Sequence, residues 1–533
     1  MLFSSSHQRG WFPLVLVVLS LSLLLGSQQS AHAKDTLTLA IKGEPDEGYD
    51  PTLGWGRYGS PLFQSTLLKR DENMNIVRDL ATNYELSENG LVWSVTLRED
   101  VKFSNGHPLT AEDVAYTFNT AAASGGKADL MKLDRAEAVG THEVLIRLKE
   151  RDSTFINRLV SLGIVPKSIH GPDYARKPVG SGPYRMVEWT EGQQMIAEIN
   201  PHYYGDTPHF KKLVFLFTDE DTSFAAAKAG KVDVVVVPQA LAVQEIPGMK
   251  LHPVRSVDNR GLLFPTVPDE GRKTDKGMPI GNDVTADLAI RKAANVAIDR
   301  KALVQGVLEG FGRPAYGVCD GLPWDNPANR IEDGDPAKAR NILADGGWKD
   351  TDGDGVVEKN GQDAEFTIIY PSERSIRQYL ALACADMLRK VGIRAKVEGK
   401  RSFDEIKQLM HSQVIVFGWG SHDPIEMYHL FSSHHAGEGY NNPGFYKNTK
   451  VDEYLDKALA AKDYESSLEY WKKAQWDGET GLNARGDAPW AWLVNLDHTY
   501  FISEHLDVGT SQVEPHGHGW PVTANIQKWK WID

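Results

Sequence analysis

The stretch from Trp93 to Phe118, WSVTLREDVKFSNGHPLTAEDVAYTF, constrains this chain more than any other. Apolar and polar residues alternate between positions 92 and 98, which is typical of a half-buried strand. Ser104-Asn105-Gly106 predicts a tight turn, because glycine accepts a positive φ. Thr110 is a favourable N-cap, and Asp113 adds an acid to the first turn of the helix that follows. The stretch therefore predicts a strand–turn–helix unit.

Length and charge exclude several classes of protein. A chain of 533 residues is too long for one hydrophobic core, so we expect two or three domains. The formal net charge is −14 and no basic stripe offsets it, which excludes a nucleic-acid partner. The 14 tryptophans suit large cores or a pocket that grips a ligand by aromatic faces.

Residues 1–33 are predicted to be a cleavable signal peptide. Arg9 precedes an apolar run over residues 11–25, and Ala31-His32-Ala33 is an A-x-A cleavage site. The run is shorter than a membrane span, which favours a signal peptide over an uncleaved anchor. No cysteine lies at the cleavage point, so we expect no lipid anchor and a periplasmic protein.

The two cysteines, Cys319 and Cys384, do not make a disulfide framework, and their pairing stays open at this point. Cys384 lies in the helical pattern YLALACADML, which favours a buried free thiol.

Several motifs together resemble one known family. Besides the first stretch, they are GSGPY at 180–184, NPHYYG at 200–205, the helix and strand pattern over 222–237, and the two-helix pattern over 287–308. They resemble the extracellular solute-binding proteins of family 5, the receptors of oligopeptide, dipeptide and nickel ABC importers. The resemblance spans nearly the whole mature chain.

The resemblance implies an α/β fold of the two-lobed periplasmic-binding-protein type II (Venus-flytrap) class, with an extra α+β subdomain in the first lobe. Lobe I would comprise 34–60, 179–270 and 493–533, with the inserted subdomain at 61–178, and lobe II would be 271–492. A ligand would lie between the lobes. The implied partners are a small-molecule ligand and an inner-membrane ABC permease, and the implied state is a monomer.

The segment FGWGSHDPIEM, residues 417–427, occupies the place of the family's binding loop. In dipeptide-binding relatives an Asp shortly after the Trp holds the α-ammonium of the ligand. Here His422 stands three residues after Trp419, and Asp423 follows. Asp423 suits an amine and His422 suits a metal chelate, whereas a simpler interpretation makes Asp423 the cap of the next helix.

Arginines and aromatic residues in other loops complete the predicted site. Relatives line their cleft at the positions of Arg57, Tyr58 and Arg260, and a guanidinium suits a carboxylate. Tryptophans in glycine-rich loops could wall in the ligand, although any single one is more often a core residue. The candidate ligand-binding residues are Trp55, Arg57, Tyr58, Arg260, Trp419, His422, Asp423, Trp490 and Trp520.

His516 and His518, in VEPHGHGWP, are candidate metal ligands. Residues i and i+2 of an extended chain project to one side, and imidazole binds Ni²⁺, Cu²⁺ and Zn²⁺. Two ligands are too few for a protein-only site, so the metal would arrive inside a small organic chelator. The alternative is a turn in which a histidine merely caps backbone groups.

DTDGDG at 350–355 resembles the start of a calcium loop. Gly361 stands where the bidentate acid of such a loop would be, so we expect a plain turn.

The predicted function is a non-catalytic receptor that captures a nickel or similar transition-metal chelate, with no intrinsic cofactor. A di- or oligopeptide receptor of the same family is the alternative. A secreted metal-dependent hydrolase is a third possibility, but the sequence contains no nucleophile-elbow, Walker or H-E-x-x-H pattern.

Overall fold

The computed structural model describes residues 34–58, 62–125, 128–517 and 519–532. The predicted signal peptide and His518 therefore lie outside the described residues. No helix within the described ranges is both long and apolar enough to cross a membrane.

The described strands are β1 (Thr36–Ala40), β2 (Leu68–Arg70), β3 (Ile76–Arg78), β4 (Ala81–Leu86), β5 (Val92–Leu97), β6 (Leu133–Ala138), β7 (Glu143–Leu148), β8 (Tyr184–Thr190), β9 (Gln194–Ile199), β10 (Lys212–Leu216), β11 (Val234–Val237), β12 (Met249–Leu263), β13 (Gly312–Pro314), β14 (Glu358–Lys359), β15 (Gln362–Asp363), β16 (Glu365–Pro371), β17 (Arg394–Lys400), β18 (Val414–Phe417), β19 (Trp490–Ser503), β20 (Leu506–Asp507) and β21 (Lys530–Trp531).

The described α-helices are α1 (Ala111–Ser124), α2 (Ile156–Ser161), α3 (Glu220–Lys228), α4 (Gln239–Ala242), α5 (Leu288–Ala297), α6 (Arg300–Val307), α7 (Pro336–Asp345), α8 (Ser375–Arg389), α9 (Phe403–Leu409), α10 (Ile425–Phe431), α11 (Thr449–Leu459) and α12 (Tyr464–Gln475). Short 3₁₀ helices span Pro51–Leu53, Tyr174–Arg176, Pro327–Asn329, Ser433–His435 and Pro521–Lys528.

Two long strands, β12 and β19, hold the main sheet together. The sheet has the order β17-β16-β18-β12-β19-β11-β1-β10-β9-β8, with β13 paired to β19. β12 and β19 are antiparallel; β18 pairs with one end of β12, and β11 pairs with the other end of β19. The strands on either side are thus joined through one pair of long strands.

The pairing of β12 with β19 shifts register between Arg255 and Asn259 and again between Arg260 and Gly261. Such irregularities change the direction of side chains and interrupt the hydrogen-bond ladder. Here they fall at the polar residues Asp258, Asn259 and Arg260.

The strand–turn–helix prediction for the first stretch is confirmed. β5 buries Trp93 and its apolar neighbours in a four-stranded sheet of order β4-β5-β7-β6. Gly106 has a φ of +87°. Asp113 Oδ2 accepts the Thr110 N–H at 2.9 Å at the start of α1.

The helical patterns over 287–308 and 379–388 are also confirmed, as α5, α6 and α8. The side chains of Asp287 and Asp299 accept backbone N–H groups at the starts of α5 and α6.

The 350–355 segment is an exposed turn in which the Asp350 carboxylate accepts the N–H groups of Gly353 and Gly355. Cys319 and Cys384 are both buried free thiols, as the sequence favoured for Cys384.

Candidate functional site

A cavity of about 560 Å³ lies among side chains from stretches that are far apart in the sequence. Its lining comes mainly from residues between 57 and 79, 128 and 161, 419 and 441, and 510 and 528. This volume is in the range of small-molecule binding sites in proteins.

The loop between β18 and α10 forms one wall of the cavity. Its main chain is held by Asn259, whose N–H donates to Trp419 O at 2.8 Å and whose Oδ1 accepts the Trp419 N–H at 3.0 Å. Gly420 has a φ of +144°, and a Cβ there would lie 2.4 Å from Val257 O. The loop can therefore pass this close to β12 only with glycine at position 420.

His422, on this loop, presents an unused imidazole nitrogen. It lines the cavity, and its buried Nε2 has no hydrogen-bond partner in the described part of the chain. Burial and then the charge of Arg70 lower the pKa of His422 to about 3. The ring is therefore neutral at pH 7, which is the form that binds metals.

Asp423 also lines the cavity, but both of its carboxylate oxygens are engaged. Oδ2 accepts a hydrogen bond from Arg158 Nη1, and Oδ1 accepts the Ile425 N–H at 3.1 Å at the start of α10. The N-cap of α10 is Pro424, so Asp423 bonds the chain just before the helix and makes a buried ion pair.

Arg158, on α2, is a cavity residue that the sequence analysis missed. Its Nε donates to Asp129 O at 2.7 Å, while the buried Nη2 has no partner among the described residues. Burial opposes ionisation of Asp129, but hydrogen bonding to His429 and the charge of Arg158 lower the pKa of that carboxyl below its usual range. A basic residue inside the apolar run FINRLVSLGIV, residues 155–165, was the available signal.

Arg57 and Tyr58, two of the candidate ligand-binding residues, line the cavity. The Arg57 guanidinium carbon lies 4.5 Å from the centre of the Tyr58 ring. Burial raises the pKa of the Tyr58 hydroxyl. This pair adds a cation and a hydroxyl to the lining.

Arg260 and His516 do not line the cavity; both contact the buried carboxylate of Asp258. Burial opposes ionisation of Asp258, but the charge of Arg260 holds its pKa well below the usual range. The same carboxylate accepts a hydrogen bond from His498 Nε2 at 3.2 Å. His516 is thus placed in a buried ion-pair network.

Three of the four predicted tryptophans pack in hydrophobic cores. Trp520 stacks on Phe215 with ring centres 4.0 Å apart, and Trp55 lies edge-on to Trp520. Trp490 stacks on Trp492 at 4.4 Å. Trp419 alone of the four lines the cavity, and its buried Nε1 has no described partner.

Comparison with known proteins identifies the family. A family model described as bacterial extracellular solute-binding proteins, family 5, matches residues 75–441. Protein XP55 of Streptomyces lividans is 34% identical over 504 residues, 91% of this chain and 88% of that protein.

Two solved structures show the same architecture. NikZ from Campylobacter jejuni, in complex with Ni(L-His), is 26% identical with a TM-score of 0.79 over 93% of this chain and 99% of its own. AppA from Bacillus subtilis, in complex with a nonapeptide, is 25% identical with a TM-score of 0.72 over 94% of this chain and 99% of its own. The chain therefore belongs to the family 5 bacterial extracellular solute-binding proteins and has their two-lobed type II periplasmic-binding-protein fold.

Proposed function

We propose that this protein captures a nickel or similar transition-metal chelate between its two lobes and delivers it to an ABC permease. Family 5 proteins are substrate-binding components of ABC importers, and relatives bind peptides or nickel chelates. The proposed lobes have the boundaries given above, with residues 1–33 as a signal peptide, a periplasmic location and a monomeric state. The proposed role is binding without catalysis.

The observation that carries this proposal is the unused Nε2 of His422. A buried polar atom without a hydrogen bond is unfavourable, so a ligand that fills it gains affinity. A neutral imidazole is a ligand for Ni²⁺, Cu²⁺ and Zn²⁺. Toward a peptide backbone it is only a hydrogen-bonding group, a role that a hydroxyl would fill as well.

One protein ligand is enough when chelators supply the remaining donors. Amino-acid or other carboxylate chelators carry negative charge, and the cavity offers Arg158 Nη2 and Arg57 to carboxylate oxygens. His516 and His518 were the first metal candidates from the sequence. The proposal now rests on His422, because His516 contacts Asp258 and His518 lies outside the described residues.

A short-peptide receptor is the second candidate, favoured by the similarity to AppA, which was solved with a nonapeptide. In this chain Asp423, the residue expected to hold a peptide ammonium, is occupied by Arg158 and by the start of α10. That occupation favours the chelate over the peptide.

The test is native mass spectrometry of the secreted protein, purified without chelators from nickel-supplemented medium, with metal analysis of the same sample. We expect one mass increment equal to one metal ion plus small chelators. His422→Ala should lose it, whereas His434→Ala should keep it, because His434 is exposed and pairs with Asp456. Heterogeneous increments of peptide size, unaffected by His422→Ala, would contradict the proposal.

A further inference from the structure

Glu514 lines the same cavity with one carboxylate oxygen engaged and the other unused. Its side chain is buried, at 1% relative exposure. Oε2 accepts hydrogen bonds from His498 Nδ1 at 2.5 Å and from the Tyr500 hydroxyl at 2.9 Å. Oε1 is buried and has no hydrogen-bond partner among the described residues, so it is the oxygen with unused acceptor capacity.

The unused oxygen is held in place by backbone and side-chain contacts. The Glu514 N–H donates to Arg255 O at 2.9 Å, and Glu514 O accepts the Val257 N–H at 2.8 Å. His498 and Tyr500 are two residues apart on β19, so both project from one face of the strand toward Oε2. The carboxylate cannot turn away from the cavity without breaking these two hydrogen bonds.

The charge behind Glu514 also favours an acceptor role. Burial disfavours the charged form of His498, but its hydrogen bonds to Asp258 and Glu514 raise its pKa to about 10. His498 is thus an imidazolium at pH 7 and must donate through Nδ1 to Oε2. Oε1 is left as an acceptor for a donor in the ligand.

Asp423 and Glu426, two other acids that line the cavity, accept a hydrogen bond on each carboxylate oxygen. Asp423 is bonded to Arg158 and Ile425. Glu426 accepts the N–H groups of Gly420 at 3.2 Å and Ser421 at 3.1 Å. Of these three acids, Glu514 is the one with a carboxylate oxygen that has no described partner.

We propose that Glu514 is an amine-recognition subsite whose Oε1 accepts an N–H hydrogen bond from an amino group of the ligand. The amino group would be the metal-bound amine of an amino-acid chelator or the free ammonium of a short peptide. If the amino group belongs to a metal chelator, the inference rests on the proposed function. If it belongs to a short peptide, the inference holds even when the chelate function is refuted. It selects chelators built from amino acids over purely carboxylate chelators.

The test compares Glu514→Gln with the wild-type protein by isothermal titration. The probes are nickel with L-histidine, which carries amine N–H groups, nickel with nitrilotriacetate, whose amine has none, and dialanine. In the variant, the amide oxygen accepts from His498 and the amide NH₂ is left for the ligand, so a donor replaces the acceptor. Glu188→Gln makes the same change at an exposed position of β8 and is the control.

We expect Glu514→Gln to lower the affinity for nickel with L-histidine by at least tenfold, or the affinity for dialanine if that is the probe the wild type binds. The affinity for nickel with nitrilotriacetate should change less than threefold. Wild-type binding of dialanine alone would refute the chelate function and still support the subsite if the variant loses that binding. Equal losses for all bound probes, no loss, or a wild type that binds neither amine-bearing probe would overturn the inference.

Discussion

Two histidines near the cavity have opposite charge states because their neighbours differ. Burial and the charge of Arg70 lower the pKa of His422 to about 3. His498 is also buried, but two carboxylates, Asp258 and Glu514, raise its pKa to about 10. One imidazole is thus neutral at pH 7, and the other serves as the counter-ion of buried acids.

The His498 imidazolium should make the free energy of unfolding depend on pH in the neutral to alkaline range. The folded-state pKa lies above the ordinary value of 6.5, so its contribution is complete below pH 6.5 and is lost as pH rises toward 10. Between those limits the free energy of unfolding of the wild type should fall more steeply than that of His498→Gln, by up to about 1.4 kcal/mol per pH unit. Urea unfolding at several pH values measures this difference.

The control for that experiment is His434→Gln, which removes an exposed imidazole. Its stability profile should run parallel to the wild type. Parallel profiles for His498→Gln as well would show that His498 is not charged in the folded protein.

The sequence predicts local roles at this scale and misses distant partners. Trp419 and His422 were found because their segment, 417–427, occupies the place of the family's binding loop. The contact of His516 with Asp258 joins residues 258 positions apart, which no local pattern reveals. Glu514 was within reach, since it stands two residues before His516 in the same extended motif.

At the scale of elements, the loop between β18 and α10 depends on close backbone approach. Gly420 combines a left-handed φ with a position where a Cβ would meet Val257 O. The sequence predicts the loop, through the family resemblance, and the helix after it. It does not predict the bulged pairing of β12 with β19 that brings Asn259 against this loop, because register depends on contacts across the sheet.

Gly420→Ala should displace this loop and weaken binding of nickel with L-histidine by about tenfold, with a loss of stability of about 1–3 kcal/mol. Calorimetric titration and urea unfolding measure the two effects. Gly353→Ala is the matched control, because Gly353 also has a positive φ, of +83°, with open space around it. If both variants lose the same stability and keep their affinity, the close approach at Gly420 does not matter for the site.

At the scale of the whole molecule, contacts join the proposed inserted subdomain, 61–178, to the proposed lobe II, 271–492. The Arg158–Asp423 ion pair is reinforced by the pair His429–Asp129, 3.1 Å apart. Ser153 N–H donates to Leu459 O at 3.0 Å. A ligand enclosed by this cavity needs these contacts to separate for entry and to re-form for retention.

The sequence motifs imply the two-lobed fold through their resemblance to family 5 solute-binding proteins. They do not predict which tryptophans reach the cavity. Trp490 and Trp492 lie on one face of β19 by the two-residue period of a strand, and their stacking places both in the core.

The most direct test of the central claim is an anomalous difference map at the nickel edge, from crystals of the secreted protein grown with nickel and L-histidine. We predict a nickel peak inside the cavity at bonding distance from His422 Nε2, with chelator density reaching Arg158 and Glu514. A nickel peak beside His516, nickel confined to the protein surface, or continuous peptide density in the cavity would contradict the account.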